Sequence, residues 1–233
     1  MYTASQLQAM KELVGREAAQ EVLDGMSVGI GTGSTSLCFL KALIERVRQG
    51  AQVQVLCSSL HIRQLAEQAG LPLLDEATTS SLDLYVDGAD WVDARYDLIK
   101  GGGGALLREK IAAAMSRRFI VIVDDTKMVE DFRGRRLPVE ILPFGAASTQ
   151  QQLTRIGAAP LLRKTADHRP AVTDNGSWIV DIQLPSAVPD PQPFLQRVMQ
   201  VPGCLAHGLF VGMTSEVFIG EPNGSVQKLY VPR

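Results

Sequence analysis

Three glycine-containing loops carry most of the residues in this sequence that could do chemistry. They are Gly29-Ile30-Gly31-Thr32-Gly33-Ser34-Thr35, Asp87-Gly88-Ala89-Asp90 and Lys100-Gly101-Gly102-Gly103-Gly104. Eight of the 21 glycines of the 233-residue chain fall in these loops. Since glycine lets the backbone approach another group closely, the loops predict a site where backbone, hydroxyls and carboxylates surround a small ligand.

The first loop lies between a predicted strand and a predicted helix. Backbone N–H groups at a helix start, with Ser and Thr hydroxyls beside them, favour an anion. The sixth position from Gly29 is Ser34 rather than glycine, so the dinucleotide pattern fails, and no Gly-Lys-Ser/Thr run follows. A phosphate ester is therefore the functional interpretation, and a tight connection without a ligand is the alternative.

The second loop follows the apolar segment 82–86 and holds two carboxylates, Asp87 and Asp90, three residues apart. Ligands of open α/β sheets bind at the carboxyl ends of the strands. Both side chains could face that crevice and polarise hydroxyls or move protons. The alternative is an ordinary Asp-Gly turn in which one aspartate caps the backbone.

The third loop begins with the positive charge of Lys100 and continues through four consecutive glycines. Four glycines are costly to order, so we expect the backbone here to lie against something. Glu109 is expected about two turns into the following helix, on a face that looks back at the loop. A flexible linker is the alternative for the glycines, and a solvated partner of Arg108 or Lys110 is the alternative for Glu109.

Two lysines give weaker signals. Lys127 follows Asp124-Asp125-Thr126 at another predicted strand end, where it could meet a phosphate. Lys11 lies on the first predicted helix, and a solvated helix face is its alternative.

The elements that must position these loops alternate between strand and helix through the first half of the chain. Strands are predicted at 26–30, 52–56, 82–86, 96–99 and 119–123, with helices after Ser5 as a possible N-cap and at 36–48, 60–69 and 105–115. Such alternation is typical of a parallel sheet with crossover helices. Beyond residue 130 the pattern becomes α+β, with a strand at 178–183 and helices at 148–156 and 193–200. Final strands at 209–211, 216–219 and 226–230 could return to the first sheet.

We therefore predict an α/β catalytic domain formed by residues 1–129 and 207–233, interrupted by a smaller α+β domain at residues 130–206.

Composition excludes several classes of function. The 23 Lys+Arg and 25 Asp+Glu leave a net charge of 23 − 25 = −2, and the pI is about 5.9. This balance argues against a nucleic-acid or membrane surface as partner. Three widely spaced cysteines fit neither a disulfide framework nor a zinc site, and no signal-peptide pattern begins the sequence. We expect a cytoplasmic protein without a metal.

An anion cradle, two aspartates, a glutamate and one or two lysines together suit proton transfer on a phosphorylated sugar without a cofactor. Carboxylates can abstract a proton beside a carbonyl, and N–H donors or positive charge stabilise the enediolate that forms. The competing hypotheses are a non-catalytic sugar-phosphate sensor, which would normally add a DNA-binding helix-turn-helix, and a CoA-transferase or amino-sugar deaminase of similar architecture.

The motifs GIGTGST, YVDGAD, IKGGGGALLREK, DDTK, LPVEILPF, VTDNG and VPGCLAHGLF follow one another in the order found in ribose-5-phosphate isomerase type A, which the chain resembles throughout. The resemblance implies a mostly parallel Rossmann-like sheet domain with an inserted ferredoxin-like domain. It also implies the interconversion of D-ribose 5-phosphate and D-ribulose 5-phosphate in the non-oxidative pentose phosphate pathway. The resemblance further implies that the protein needs no cofactor. It also implies a homo-oligomer, either a homodimer or a tetramer.

By this resemblance Glu109 passes a proton between C2 and C1 through a cis-enediol(ate). Asp87 would handle ring opening, while Lys100 and glycine N–H groups would stabilise the enediolate. The substrate-binding residues implied are Thr32, Gly33, Ser34, Thr35, Asp87, Gly88, Ala89, Asp90, Lys100, Gly101, Gly102, Gly103, Lys127 and Lys11. Trp91 and His61 depart from the family pattern and could reshape the pocket wall.

Overall fold

The computed structural model describes residues 2–185 and 190–231. The chain forms two compact units, one of Met1–Ala89, Arg108–Met128 and Val211–Arg233 and the other of Asp90–Leu107 and Val129–Phe210. The second unit contains the region predicted as an insert and also takes in Asp90–Leu107. The predicted boundaries at residues 130 and 206 stay a prediction.

Helices and strands alternate as the sequence indicates. The helices are α1 (Ala4–Gln20), α2 (Ser34–Arg48), α3 (Leu60–Gln68), α4 (Leu106–Ala114), α5 (Ala146–Arg155) and α6 (Gln192–Met199). The strands are β1 (Ser27–Ile30), β2 (Gln54–Cys57), β3 (Leu82–Asp87), β4 (Trp91–Val92), β5 (Leu98–Ile99), β6 (Ser116–Asp124), β7 (Arg136–Ile141), β8 (Leu161–Leu162), β9 (Trp178–Gln183), β10 (Cys204–His207), β11 (Leu209–Phe210), β12 (Glu216–Gly220) and β13 (Val226–Tyr230).

The first unit is built on a six-stranded sheet in the order β13-β12-β6-β3-β1-β2. Only β13 is antiparallel to its neighbour; the other pairs are parallel. Phe119–Val123 of β6 is continuously buried, as expected for a parallel strand covered on both faces. This sheet confirms the predicted α/β fold class.

The strand order places a topological switch point beside β1. The chain runs from β1 to β2 on one side and then crosses to β3 on the other. Ligands of open parallel sheets bind in the crevice at such a point, outside the carboxyl ends of the strands. The loops that follow β1 and β3 are the first two glycine-containing loops.

Helix α1 starts earlier than the sequence suggested. Its N-cap is Thr3 and not Ser5, because the Thr3 hydroxyl accepts the Gln6 N–H while the Gln6 side chain accepts the Thr3 N–H. This reciprocal capping box satisfies two backbone donors at once.

The second unit holds a four-stranded antiparallel sheet in the order β10-β7-β9-β8 and a three-stranded sheet in the order β11-β5-β4. The expectation that the strand at 209–211 returns to the first sheet is wrong. Leu209 pairs with Ile99 and is buried in the apolar core of the second unit. Burial of Leu209 and Phe210 in this unit outweighs their closeness in sequence to β12.

Within the described ranges no helix combines the length and apolar character needed to cross a membrane.

Candidate active site

Asp87 is the centre of a buried hydrogen-bond cluster at the carboxyl end of β3. One carboxylate oxygen, Oδ1, accepts the Thr32 N–H at 3.0 Å, the Ser36 hydroxyl at 2.7 Å and the Gly88 N–H at 2.8 Å. The other, Oδ2, accepts the Tyr85 hydroxyl at 2.6 Å. The carboxylate is fully buried. Asp87 therefore ties the loop after β1 to the loop after β3.

Gly31 is required for this arrangement. A Cβ at position 31 would lie 1.9 Å from the Cγ and Oδ1 atoms of Asp87. The Gly31 N–H also donates to the Val86 carbonyl at 2.9 Å, which continues the β1–β3 pairing past the end of β1. The absence of a side chain at position 31 thus allows the first glycine-containing loop to pack closely against the second.

Tyr85 is a central residue of the cluster that the sequence analysis missed. Its side chain is fully buried and its ring packs against Phe119, with centroids 4.8 Å apart. Burial, together with the negative charges of Asp87 and Glu109, raises the pKa of Tyr85 well above its ordinary value. The hydroxyl therefore stays protonated and can donate to Asp87. The alternation of side chains along β3 puts residues 85 and 87 on one face, a signal that was present in the sequence.

Ser36 and Ser58 were also missed. The buried Ser36 hydroxyl donates to Asp87 and lies 3.1 Å from the Gly88 N–H, which it accepts. Ser58, directly after β2, lies 2.7 Å from the Thr32 hydroxyl. Hydroxyls from three strand ends therefore meet at the predicted site.

Glu109 is buried, with 3 % of its surface exposed, and lies in the first turn of α4. The expectation that it lies about two turns into the helix is wrong, because α4 begins at Leu106, only three residues before Glu109. A carboxylate in the first turn is stabilised by the positive end of the helix dipole. Its charge acts on Tyr85, so Glu109 and Asp87 influence the same phenol.

The structure brings Lys11 to the loop predicted to bind phosphate. The Lys11 ammonium donates to the Ser34 hydroxyl at 3.0 Å. Ser34 is the first residue of α2, whose N-cap Gly33 has φ +115° and provides no side-chain cap. The first turn of α2 therefore offers backbone N–H groups, a hydroxyl and a lysine together, a combination suited to an anion.

Lys127 ends a short 3-10 helix, Asp125–Lys127, that follows β6. This helix is capped by Asp124, which is buried and accepts the Thr126 N–H at 3.2 Å. Lys127 is therefore placed just past the carboxyl end of the strand next to β3.

Asp90, Lys100 and the glycines of the third loop belong to the second unit. Asp90 Oδ2 accepts the Gly102 N–H at 2.7 Å, and a Cβ on Gly102 would lie 2.6 Å from Asp90 Oδ1. Lys100 is buried, donates its N–H to the Gly208 carbonyl at 2.8 Å and has its ammonium 5.8 Å from the centre of the Phe210 ring. The third loop is thus anchored at both its start and its middle.

The two departures from the family pattern take different positions. Trp91 packs on the apolar core of the second unit, with the Arg135 guanidinium 3.9 Å from the centre of its ring. His61 lies exposed in the first turn of α3. In the part of the chain that the structure describes, no three His, Cys, Asp or Glu side chains are grouped so that they could hold a metal ion.

Comparison with known proteins decides the family. The family profile for ribose 5-phosphate isomerase A (phosphoriboisomerase A) matches residues 54–224. The chain belongs to this family. A ribose-5-phosphate isomerase A of Rhodopseudomonas palustris (strain HaA2) is 44% identical over 221 residues, 92% of this chain and 95% of that protein. Another, from Oceanobacillus iheyensis, is 41% identical over 213 residues, 91% of this chain and 94% of the relative.

Solved structures of the family share the whole fold. The ribose 5-phosphate isomerase A of Methanocaldococcus jannaschii has a TM-score of 0.87 and 31% identity, covering 95% of this chain and 98% of the other. A D-ribose-5-phosphate isomerase in complex with phospho-erythronic acid also has a TM-score of 0.87 and 31% identity, covering 96% and 99%.

Proposed function

We propose that the chain is an aldose–ketose isomerase that interconverts D-ribose 5-phosphate and D-ribulose 5-phosphate. The observation that carries the proposal is the buried Asp87 carboxylate, which accepts the Tyr85 hydroxyl at 2.6 Å. The buried Glu109 carboxylate adds to it, because its charge also raises the pKa of Tyr85. A positioned Asp or Glu carboxylate can act as a general acid or base in proton transfer. Family membership and the phospho-erythronic acid complex of a relative support this substrate.

Proton transfer is assigned to Glu109. Its carboxylate removes the proton from C2 of the open-chain aldose, and the C–H electrons form the C1–C2 double bond while the carbonyl oxygen becomes an enediolate oxygen. A proton then passes between the two oxygens, and Glu109 returns its proton to C1. The products are the C2 ketone and the regenerated carboxylate, so no oxidant or reductant is consumed.

Ring opening is assigned to Asp87. Three donors already bind Oδ1, so the role falls to Oδ2, which faces the Tyr85 hydroxyl. A carboxylate oxygen can accept the proton of the anomeric hydroxyl as the C1=O bond forms and the ring C–O bond breaks. The same proton then passes to the ring oxygen, which leaves as the C4 hydroxyl, so the carboxylate is regenerated.

The remaining roles are stabilisation of the enediolate charge and binding of the substrate. Lys100 and the N–H groups of the third loop stabilise the developing enediolate, since fixed donors favour negative charge that forms in the transition state. The first turn of α2 with Lys11, together with Lys127, binds the phosphate. The other residues assigned to substrate binding are Thr32, Gly33, Ser34, Thr35, Gly88, Ala89, Asp90, Gly101, Gly102 and Gly103.

The testing experiment is an isomerase assay that compares ribose 5-phosphate with other aldose phosphates, each at several concentrations. The proposal predicts the highest kcat/KM for ribose 5-phosphate. Equal rates with hexose phosphates would refute the assigned substrate, and no isomerisation of any aldose phosphate would refute the reaction.

A cytoplasmic location and a homodimer or tetramer are part of the same proposal. The location rests on the three widely spaced cysteines, and the assembly rests on the family resemblance. Light scattering on the purified chain measures the assembly, and a mass equal to one chain would contradict it.

A further inference from the structure

The third glycine-containing loop is held by an arginine 61 or 62 residues further along the chain. The Arg163 guanidinium donates from one nitrogen, Nη1, to the Gly101 carbonyl at 2.8 Å and to the Gly102 carbonyl at 3.1 Å. Its Nε and Nη2 atoms donate to the two carboxylate oxygens of Asp181, at 3.0 and 2.5 Å. One planar guanidinium therefore joins the loop to β9.

The guanidinium is held in place by contacts outside the loop. Arg163 directly follows β8, and its N–H donates to the Ile179 carbonyl at 2.8 Å while its own carbonyl accepts the Ala171 N–H at 2.9 Å. Its side chain is 22 % exposed and that of Asp181 17 %. A bidentate Arg–carboxylate pair has a defined geometry, so the nitrogen facing the loop has little freedom.

The contacts with the two carbonyls, together with the Gly104 N–H that donates to the Gly101 carbonyl at 3.1 Å, fix where the loop's N–H groups point. A trans peptide is planar, so its N–H points opposite to its C=O. With the Gly101 and Gly102 carbonyls turned toward Arg163, the N–H groups of Gly102 and Gly103 point away from it. The Gly102 N–H does so, and it binds the Asp90 carboxylate at 2.7 Å. Gly103 is exposed, and its N–H is directed to the same side.

We propose that Arg163 is a positioning residue for the isomerase reaction, one that orients the third loop so that the Gly103 N–H serves as a donor to the anionic oxygen of the enediolate. This inference rests on the proposed function. The neighbouring Gly102 N–H already donates to the Asp90 carboxylate, so N–H groups on this side of the loop can bind an anionic oxygen. Asp181 supports this role indirectly, because its carboxylate holds the Arg163 guanidinium in place.

Arg163→Lys is the most informative change. An ammonium can keep an ion pair with Asp181, but it lacks the planar fork that reaches Asp181 and both carbonyls at once. Misplacing a transition-state donor lowers kcat more than it changes KM. We expect R163K to lower kcat by ~10-fold or more with KM within ~3-fold of the wild-type value. D181N should also lower kcat, but by a smaller factor.

Arg133→Lys is the matched control, because Arg133 also pairs with an aspartate of the second unit, Asp131, without touching the loop. Its kcat should stay within ~2-fold of wild type. Urea unfolding of each variant shows whether it is folded under assay conditions. If R163K is unfolded under assay conditions, the kcat and KM of D181N are used to test the inference instead.

Kinetic constants of R163K within ~2-fold of an active wild-type enzyme would overturn the inference. A loss confined to KM would do so as well, because it would place the role in substrate binding. A wild-type protein without isomerase activity would instead refute the proposed function, so the two failures are distinguishable.

Discussion

Replacing Tyr85 with phenylalanine tests whether the cluster around Asp87 is held together as the structure indicates. Phenylalanine keeps the ring that packs on Phe119 and removes only the hydroxyl that donates to Asp87 at 2.6 Å. Depriving a buried charged acceptor of a donor costs ~1–3 kcal/mol. Because both residues are fully buried, solvent cannot replace the lost donor, and we expect Y85F to lower the free energy of unfolding by that amount.

Tyr2→Phe is the matched control. The Tyr2 hydroxyl donates to an aspartate as well, Asp125 at 2.5 Å, but this pair is only partly buried and solvent can reach it. Water can take its place, so Y2F should change the free energy of unfolding by ~0.5 kcal/mol or less.

Urea unfolding followed by far-UV circular dichroism is the suitable assay, because the two tryptophans, Trp91 and Trp178, both belong to the second unit and their fluorescence would not report on β3. Since burial and the two carboxylates keep the pKa of Tyr85 high, the difference between Y85F and wild type should be constant between about pH 6 and pH 9. If Y85F proved as stable as Y2F, the reasoning about the buried cluster would be refuted.

Lys127→Ala should raise KM for ribose 5-phosphate by ~10-fold with a smaller change in kcat, and an unchanged KM in steady-state kinetics would count against its phosphate role. Burial lowers the pKa of Lys110 to about 8, so the unfolded chain binds more protons between that pH and the ordinary value, and stability rises with pH across this interval. Lys110→Met should remove that rise and stabilise the protein at neutral pH by roughly 1–3 kcal/mol; urea unfolding that shows the same pH dependence as wild type would contradict this. Burial raises the pKa of Cys57 to about 12, so native Cys57 should react with iodoacetamide at least ~10²-fold more slowly than free cysteine at about pH 8, and an equal rate measured by peptide mass spectrometry would exclude the stated cause.

The sequence predicted those parts of the fold in which local pattern and tertiary environment agree. The apolar runs that became β1, β3 and β6 were placed correctly, because buried parallel strands are continuously apolar. Leu209 and Phe210 were assigned to the wrong sheet, since an apolar pair of this length carries no information about its partner strand. Thr3 was overlooked as the N-cap although its capping partner, Gln6, lies three residues on.

The sequence predicted some residues of the candidate site and missed others. Its glycines and carboxylates stand out because they are grouped in the sequence. Tyr85 and Ser36 read as ordinary core and helix residues, and only the folded chain shows that they both donate to Asp87. Arg163 could not be found by any local pattern, because 61 residues separate it from the loop carbonyl of Gly102 that it binds.

The most direct test of the account is the turnover of Glu109→Gln, which keeps the size of the side chain and removes its basicity. Glu67→Gln, at an exposed carboxylate of α3 that pairs with Arg63, is the control and should retain wild-type kcat. Loss of a general base costs ~10²-fold or more, so kcat of E109Q should fall at least that far while KM for ribose 5-phosphate stays close to the wild-type value. A kcat of E109Q near that of the wild type would contradict the claim that Glu109 transfers the proton.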